Sequence, residues 1–486
     1  MVGSVDSEHP DNVLAGGSGR GRARGHLLAE RRRAGVLCPF SALPVDRSPL
    51  FFLDWLAAAG IEIWQVLPFN PPDAYGSPYS SPSLNAGDTA LLAQWPLATA
   101  AHGAAPASSS EQVDAMPFVD AAPGSWLHDY ALFEVARSVH GAPWCDWPHP
   151  LRDREPAALA VLAQAHANEI ATLIAGQRAF FTRLACVRAA AHERGIVLFG
   201  DMALYPAYDS VDVWTHRTLF KLDAAGRSTQ VAGVPPDYFS ATGQLWGNPV
   251  YDWPAHEASA FSWWKARIAH QLQWLDVVRI DHFRGLQSAW CIPADALTAI
   301  DGEWRAVPGA ALLSSLDDAT RAALVAEDLG VITPEVTALR EQFGLPGMRV
   351  LQFGFSGDAA NPHHPSNIDA GQVLYTGTHD NDTSLGWYLQ LDANTRALVD
   401  HALADSAGTD APHAGSVSWS FMAIAIASAA NTVVLPLQDV LALDGSARMN
   451  TPGVATGNWR WRCDASALTA QLAQQLRGLL QGAGRT

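Results

Sequence analysis

The stretch VRIDHFRG at residues 278–285 decides the predicted fold, together with LVAEDLG at 324–330 and YTGTHDND at 375–382. Each stretch begins as an apolar run rich in β-branched residues, which is typical of a buried strand. Each run ends on a carboxylate, and the three carboxylates are Asp281, Glu327 and Asp380. In a barrel of parallel strands the active site opens at the carboxyl ends of the strands. The three acids are therefore predicted to meet at one mouth.

Three carboxylates at one mouth suit the cleavage of a bond between two sugars. One carboxyl group donates a proton to the leaving oxygen, a second attacks or stabilises the cationic carbon, and a third holds the ring. Asp281 lies two residues after Arg279, so both side chains point to one face of a strand and the guanidinium keeps the carboxylate ionised. Taken alone, Arg279 and Asp281 are better explained as a buried structural ion pair. Metal ligation by nearby histidines is a weaker alternative, because no HExxH spacing occurs.

Composition narrows the class of protein. The 486 residues carry a formal net charge of −17, and 48% of them are hydrophobic. The acidic balance argues against nucleic acid as the main partner, since phosphate binding needs a basic face. The five cysteines are widely spaced and form no CxxC pair, which predicts reduced thiols in a cytoplasmic protein. The sequence shows neither an apolar run as long as a membrane span nor a signal-peptide apolar region.

Eight apolar runs rich in Val, Ile and Leu are predicted strands, and such runs are typical of strands covered on both faces. They are GVLCPF (35–40), IEIWQVLP (61–68), IVLFGD (196–201), DVVRID (276–281), ALVAED (323–328), MRVLQF (348–353), QVLYTG (372–377) and NTVVLP (431–436). Most intervals contain helix-like stretches, such as TPEVTALREQFG at 333–344, which begins with a Thr cap and stops at a glycine. This alternation predicts an α/β fold, a (β/α)8 TIM barrel, rather than an open sheet.

The predicted domain organisation follows from the uneven spacing of the strands. Residues 1–33 include the low-complexity run GGSGRGRARG and are predicted to be a disordered tail. Residues 34–486 are predicted to form the catalytic barrel. Within it, 84–195 and 202–260 are predicted insertion subdomains after the second and third strands. Such insertions lie over the catalytic mouth of a barrel, so we expect them to form a lid around the substrate.

Several motifs, in the same order, resemble those of the amylomaltases, the 4-α-glucanotransferases (disproportionating enzymes) of glycoside hydrolase family 77. The resemblance runs from about Arg32 to Arg462. Besides the three stretches above, the motifs are GSPYS (76–80), VAGVPPDYFSATGQLWGNPVYDW (231–253) and ARMNTPGVATGNWRWR (447–462). The resemblance implies transfer of an α-1,4-glucan segment from one chain to the 4-hydroxyl of another sugar. We expect no cofactor and no metal. We expect maltodextrin and glucose as partners, and a monomer or weak homo-oligomer.

The resemblance also implies roles for individual residues. Asp281 would be the nucleophile, Glu327 the general acid and base, and Asp380 the residue that binds the hydroxyls of the distorted ring. The implied sugar-binding residues are Arg279, His282, His379, Asp201, Tyr75, Tyr79, Tyr238, Phe239, Trp246, Asn248 and Asn450. Aromatic rings of this kind stack on the apolar face of a sugar. For Asp201, an ion-pair partner or a helix cap remains the alternative.

The chain departs from the family pattern near the predicted grooves. The connection SALPVDRSPLF after the first strand is short, AYGSPYSS lacks an acid, and Asp88 replaces the commoner Asn. These differences leave chain-length preference and the ratio of transfer to hydrolysis open. Two alternative functions remain: a retaining α-glucan hydrolase on the same scaffold, and an inert glucan-binding protein.

Overall fold

Eight strands form one parallel sheet, as predicted. The computed structural model describes residues 26–95, 120–236, 240–406 and 417–485, and these contain twelve β-strands. The eight parallel strands are β1 (Arg33–Leu37), β2 (Ile63–Gln65), β3 (Val197–Met202), β6 (Val277–Ile280), β9 (Leu324–Ala326), β10 (Met348–Val350), β11 (Val373–Tyr375) and β12 (Thr432–Pro436). Each overlaps one of the predicted runs. The order in the sheet is β10-β11-β12-β1-β2-β3-β6-β9.

The sheet closes where β9 meets β10. The Ala326 N–H donates to Pro346 O over 2.9 Å, and the Met348 N–H donates to Asp328 Oδ1 over 2.6 Å. A glycine is needed at position 347, because a Cβ atom there would lie 2.5 Å from Asp328 Oδ2. A side-chain carboxylate thus completes the seam of the predicted (β/α)8 barrel.

Alternate residues of the strands fill the barrel interior. On β3 and β6, Phe199 and Val277 lie side by side in the interior, and Asp201 and Arg279 lie side by side one layer closer to the carboxyl ends. The apolar layer consists of Leu28, Leu37, Ile63, Leu67, Phe199, Val277, Val325, Met348, Val350, Val373, Tyr375 and Val434. An apolar floor therefore lies beneath a charged mouth.

Helices surround the barrel. The long helices of this ring are α1 (Pro49–Ala58), α5 (Ala167–Glu193), α8 (Ser262–Trp274), α11 (Pro334–Gln342), α14 (Val417–Ala427) and α16 (Ala470–Gly482). The helix predicted at 333–344 is α11, with Thr333 at its N-cap. The other helices are α2 (Trp126–His140), α3 (His149–Arg152), α4 (Pro156–Ala165), α6 (Val211–Thr215), α7 (Trp253–Ala258), α9 (Gly309–Ser314), α10 (Asp318–Arg321), α12 (Ser384–Leu389), α13 (Ala393–Ser406) and α15 (Leu437–Val440).

Helix α5 corrects the predicted boundary of the first insertion. It packs against α1 and α8, its neighbours in the ring, and buries Phe180, Phe181 and Leu184 in the main core. The insertion after β2 therefore ends before residue 167 and not at 195. By length and composition α5 is also the one described helix that could cross a membrane. Its large apolar side chains on one face, among them Phe180, Phe181 and Leu184, are buried in the core.

A second, antiparallel sheet was not predicted. It contains β4 (Gln230–Val234), β5 (Gln244–Pro249), β7 (Ser288–Pro293) and β8 (Glu303–Ala306), in the order β5-β4-β7-β8. The first two strands belong to the predicted insertion 202–260, whereas the last two follow β6. A third insertion therefore exists after β6, and it pairs with the second.

Residues 26–33 are ordered, so the predicted tail does not extend to residue 33. The His26 ring lies 2.9 Å from Leu324 O, and Thr432 Oγ1 donates to Leu28 O over 2.7 Å. The Leu28 side chain belongs to the apolar layer inside the barrel. Residues 1–25 lie outside the described part of the chain. All five cysteines are free, as predicted.

Candidate active site

Asp281 and Glu327 follow the ends of two neighbouring strands. In the pairing of β6 with β9, Ile280 lies opposite Ala326, so the next residue on each strand is one of the two carboxylates. The Glu327 N–H donates to Ile280 O over 3.1 Å and continues the pairing to this level. Neighbouring strands lie about 4.8 Å apart. The structure therefore brings these two predicted acids together at the barrel mouth.

Arg279 lies between two carboxylates. Its Nη2 atom is 2.8 Å from Asp201 Oδ2 and 2.8 Å from Asp281 Oδ1. The Tyr79 hydroxyl donates to the same Asp201 oxygen over 2.7 Å. The exposed fraction of the side chain is 0% for Asp201 and 32% for Asp281. Only Asp281 is open to a ligand, and Asp201 matches the ion-pair alternative from the sequence.

Backbone donors hold the Glu327 carboxylate. The His282 N–H donates to Glu327 Oε2 over 2.7 Å, and the Leu329 N–H donates to Oε1 over 2.9 Å. His282 has a φ of 50°, in the left-handed region that residues other than glycine rarely occupy. Both oxygens of Glu327 are therefore fixed by loops that directly follow β6 and β9.

Burial and charge set the ionisation of these groups. Burial raises the pKa of Glu327 to about 7. Burial also raises the pKa of Asp281, against the opposing effect of the Arg279 guanidinium. Burial lowers the pKa of His282 to about 4, so this ring is neutral at neutral pH. The site thus combines Glu327, whose carboxyl group titrates near neutral pH, with Asp281, whose carboxylate contacts a guanidinium.

Asp380 lies on the turn after β11 and contacts the loop after β12. Asn450 Nδ2 donates to Asp380 Oδ1 over 2.6 Å, and His379 Nε2 lies 3.4 Å from the same oxygen. The Asp380 side chain is 46% exposed. The predicted residues Asp380, His379 and Asn450 therefore form one group with an accessible carboxylate.

Aromatic stacking joins this group to the Arg279 cluster. The ring of His379 stacks on Tyr79 at 5.3 Å between centroids, with an angle of 13° between the ring planes. Trp459 lies against both rings, at 5.9 Å from Tyr79 and 5.8 Å from His379. Because the Tyr79 hydroxyl binds Asp201, this one tyrosine connects the two halves of the mouth.

Other predicted sugar-binding residues lie further out. Trp246 on β5 is 37% exposed and packs edge to face on His282 at 4.8 Å, so the second sheet borders the mouth. Tyr75 is exposed on the loop after β2. Asn248 donates its side-chain N–H to Pro206 O over 2.8 Å and so anchors the loop after β3. Tyr238 and Phe239 lie outside the described residues.

Two residues of the mouth had no predicted role. Trp459 belongs to the quoted motif GNWRWR, so its sequence context pointed to the site. Arg448 lies two positions before Asn450 and donates from Nη2 to the main-chain O of Asp380 over 2.6 Å. No local pattern in the sequence predicts that contact. Among the described residues no cluster of three or more His, Cys, Asp or Glu side chains is suited to a metal ion.

Comparison with known proteins decides the family. The family model described as 4-alpha-glucanotransferase, of glycoside hydrolase family 77, matches residues 49–120 and 94–468. The chain belongs to the 4-alpha-glucanotransferase family. Its 41% identity to the 4-alpha-glucanotransferase of Thermus thermophilus covers 96% of this chain and 99% of the relative. The chloroplastic or amyloplastic enzyme of Arabidopsis thaliana is 38% identical over 94% of this chain and 86% of its own length.

Solved structures of the family share this fold. The amylomaltase of Streptococcus agalactiae in complex with acarbose superimposes with a TM-score of 0.83 and 29% identity, over 94% of this chain and 100% of that one. The amylomaltase of Corynebacterium glutamicum gives a TM-score of 0.71 at 16% identity, over 94% and 76% of the two chains, and supports the fold alone. The family assignment and the barrel confirm the resemblance predicted from the motifs. This member of the 4-alpha-glucanotransferase family is therefore a transferase that acts on α-glucans.

Proposed function

We propose that this protein is a retaining 4-α-glucanotransferase that moves α-1,4-glucan segments between maltodextrins. The observation that carries the proposal is the accessible Asp281 carboxylate, paired with Arg279 and adjacent to a backbone-fixed Glu327. Relatives named 4-alpha-glucanotransferase support the choice of reaction. An amylomaltase that shares this fold was solved in complex with acarbose, which supports a glucan ligand for this protein.

In the first step, Asp281 attacks the anomeric carbon of the donor while Glu327 gives its proton to the glycosidic oxygen. The bond from that carbon to the oxygen breaks, and an ester between the glucan and Asp281 forms. In the second step, Glu327 takes the proton from the 4-hydroxyl of an acceptor sugar. That oxygen attacks the same carbon, and the ester bond breaks. The two inversions together retain the α configuration.

The ionisation of the site supports this division of roles. Arg279 contacts Asp281 at 2.8 Å, whereas Glu327 is contacted by backbone N–H groups. A guanidinium compensates a full negative charge better than two backbone dipoles do. The contact with Arg279 thus favours the negative charge on Asp281, and Glu327 would hold the proton before the first step. Asp380, with its exposed carboxylate, would bind the hydroxyls of the ring being cleaved.

Transfer and hydrolysis share this mechanism and differ in the hydroxyl that opens the ester. The acceptor sugar reacts with the ester faster than water does when the sugar is held in place and water is excluded. Tyr75 and Trp246 are exposed aromatic side chains on two sides of the mouth, where they would bind such a sugar by stacking. Whether the helices α2 to α4 act as a lid remains a prediction, as do the cytoplasmic location and the monomeric or weakly oligomeric state.

The test is incubation of the pure protein with maltotriose. A ladder of longer maltodextrins together with glucose is the expected result. Shortening of the substrate without any longer product would show a hydrolase instead. Binding without turnover would show an inert glucan-binding protein. The matched control is Asp281→Asn, which we expect to remove turnover while the protein still binds maltodextrin.

A further inference from the structure

Asp380 differs from the other two carboxylates in its distance from a strand. Asp281 and Glu327 directly follow β6 and β9, whereas Asp380 lies on a turn five positions beyond Tyr375, the last residue of β11. Its side chain is also more exposed than that of Asp281. A group that binds a reacting ring must be held to within about 0.5 Å by its surroundings. The turn therefore needs support from outside β11.

That support comes from the loop after β12. Asn450 donates twice, from Nδ2 to Asp380 Oδ1 over 2.6 Å and from its backbone N–H to His379 O over 3.0 Å. Arg448 also donates twice, from Nη2 to the main-chain O of Asp380 over 2.6 Å and from Nε to the main-chain O of Asn450 over 2.8 Å. Three of these four bonds connect Asp380, Asn450 and Arg448 in a closed triangle.

Arg448 directs its guanidinium to carbonyl groups rather than to an acid. Within the described residues it forms no ion pair, although Asp382 borders the same small cavity. The Asp382 oxygens accept instead from the Thr383 N–H and from Gln390 Nε2, each at 2.8 Å. A guanidinium presents its donors in a rigid planar fork, so it can bind two carbonyl groups at fixed positions. The more flexible ammonium of a lysine lacks this fork.

We propose that Arg448 is a positioning residue: by binding the backbone of both Asp380 and Asn450, it fixes the carboxylate that holds the ring being cleaved. This inference deepens the proposed transferase function and rests on it. Arg448 acts through Asp380, so its loss should affect the step in which the ring is distorted. The consequence is a fall in kcat that exceeds any change in KM.

The experiment is steady-state kinetics of glucose release from maltotriose by five proteins and the wild type. The variants are Arg448→Met, Arg448→Lys, Asp380→Asn, the double variant with Arg448→Met and Asp380→Asn, and Arg460→Met. Arg460 is the matched control, because it is exposed in the same loop and makes no hydrogen bond or ion pair within the described part of the chain. Melting temperatures establish that each variant is folded.

We expect Arg448→Met to lower kcat by about 10- to 100-fold, since a small misplacement of a binding group has effects of this size. The kcat of Arg448→Lys should lie between those of Arg448→Met and the wild type. If Arg448→Met does not fold, the lysine variant is compared with the wild type instead. In the Asp380→Asn background, Arg448→Met should change kcat by less than about 2-fold. Both substitutions weaken the same contact, the one between the Asp380 carboxylate and the ring being cleaved. Arg460→Met should match the wild type.

Two results would overturn the role of Arg448. One is wild-type kcat in Arg448→Met, and the other is multiplication of the two single losses in the double variant. Both results are measured against a wild-type enzyme that produces the maltodextrin ladder. They would therefore refute the role of Arg448 and leave the transferase function intact. A wild-type protein that produces no ladder would instead refute the transferase function, and the assigned role of Arg448 with it.

Discussion

The backbone N–H of His282 donates to Glu327 Oε2 over 2.7 Å, so the residue that follows one carboxylate fixes the other. Because Asp281 and His282 are adjacent in the chain, the Glu327 side chain cannot move without disturbing the loop that carries Asp281. The Leu329 N–H on the opposite oxygen completes the restraint. The geometry between the two acids is thus set by the backbone, which is more rigid than side-chain packing.

The first prediction separates the roles of the two acids by the leaving group. A glycosyl fluoride needs no proton to release fluoride, whereas an ordinary glycosidic oxygen does. Glu327→Ala should lose about 10²- to 10⁴-fold in activity on maltotriose but retain fluoride release from α-maltosyl fluoride. Asp281→Ala should lose both activities, because its carboxylate attacks in either case. Equal losses on the two donors in Glu327→Ala would contradict the assignment of the general acid.

The second prediction concerns pH. Burial raises the pKa of Glu327 from the usual 4.5 to about 7, so its proton is present below this pH and is lost above it. The kcat/KM for maltotriose should therefore fall as pH rises through about 7. Release of fluoride from α-maltosyl fluoride needs no proton from Glu327, so the rate of this first step should not fall as pH rises through about 7. A fall in that rate would show that another group titrates.

The third prediction compares two ion pairs of similar length that differ in burial. Asp201 pairs with Arg279 at 2.8 Å with a side chain that is fully buried, whereas Asp54 pairs with Arg194 at 2.7 Å with a side chain that is 56% exposed. Asp201→Asn should destabilise the fold by about 3 kcal/mol, because it leaves a buried charge less well compensated. Asp54→Asn should cost less than about 1 kcal/mol. Thermal melting of both variants at one pH checks this, and similar shifts would argue against it.

The fourth prediction concerns the buried residue Arg485. Its guanidinium donates to main-chain oxygens at the base of the barrel, including Arg33 O at 3.2 Å, Asn431 O at 3.1 Å and Ala430 O at 2.7 Å. Hydrogen bonds from a charged group contribute about 1.5–3 kcal/mol each, so Arg485→Met should lower the melting temperature clearly. Activity per folded molecule should not change, because the site lies at the other end of the strands. A stable but inactive variant would contradict this separation.

The barrel could be predicted because most residues of its strands are apolar on both faces of the sheet. On β6, Val277 faces the barrel interior and Val278 faces the helices, so both faces are apolar. The second sheet lacks this signal. Strand β8, with the sequence EWRA, is exposed at all four positions, and β5 is interrupted by a glycine and ends on a proline. Pairing between two insertions that are distant in the chain creates these strands.

The site was predictable to the extent that its residues follow strands. Asp281 and Glu327 stand at strand ends, where the barrel rule applies directly. The contact of Arg448 with Asp380 joins loops 68 positions apart, and no periodicity in the sequence encodes it. The tail boundary was placed too late because the Leu28 side chain finds its partners only inside the assembled barrel.

His26 and Arg485 both bind the base of the barrel, on the face opposite the mouth. A peptide linking these two positions would run across the base of the barrel and would therefore not cross the route of a glucan chain. Circular permutation with new ends opened at Leu297, which is 94% exposed between β7 and β8, is a practical way to redesign this protein. Coupling to a solid support through residues near Arg485 would likewise point the mouth toward the solution and its polymeric substrate.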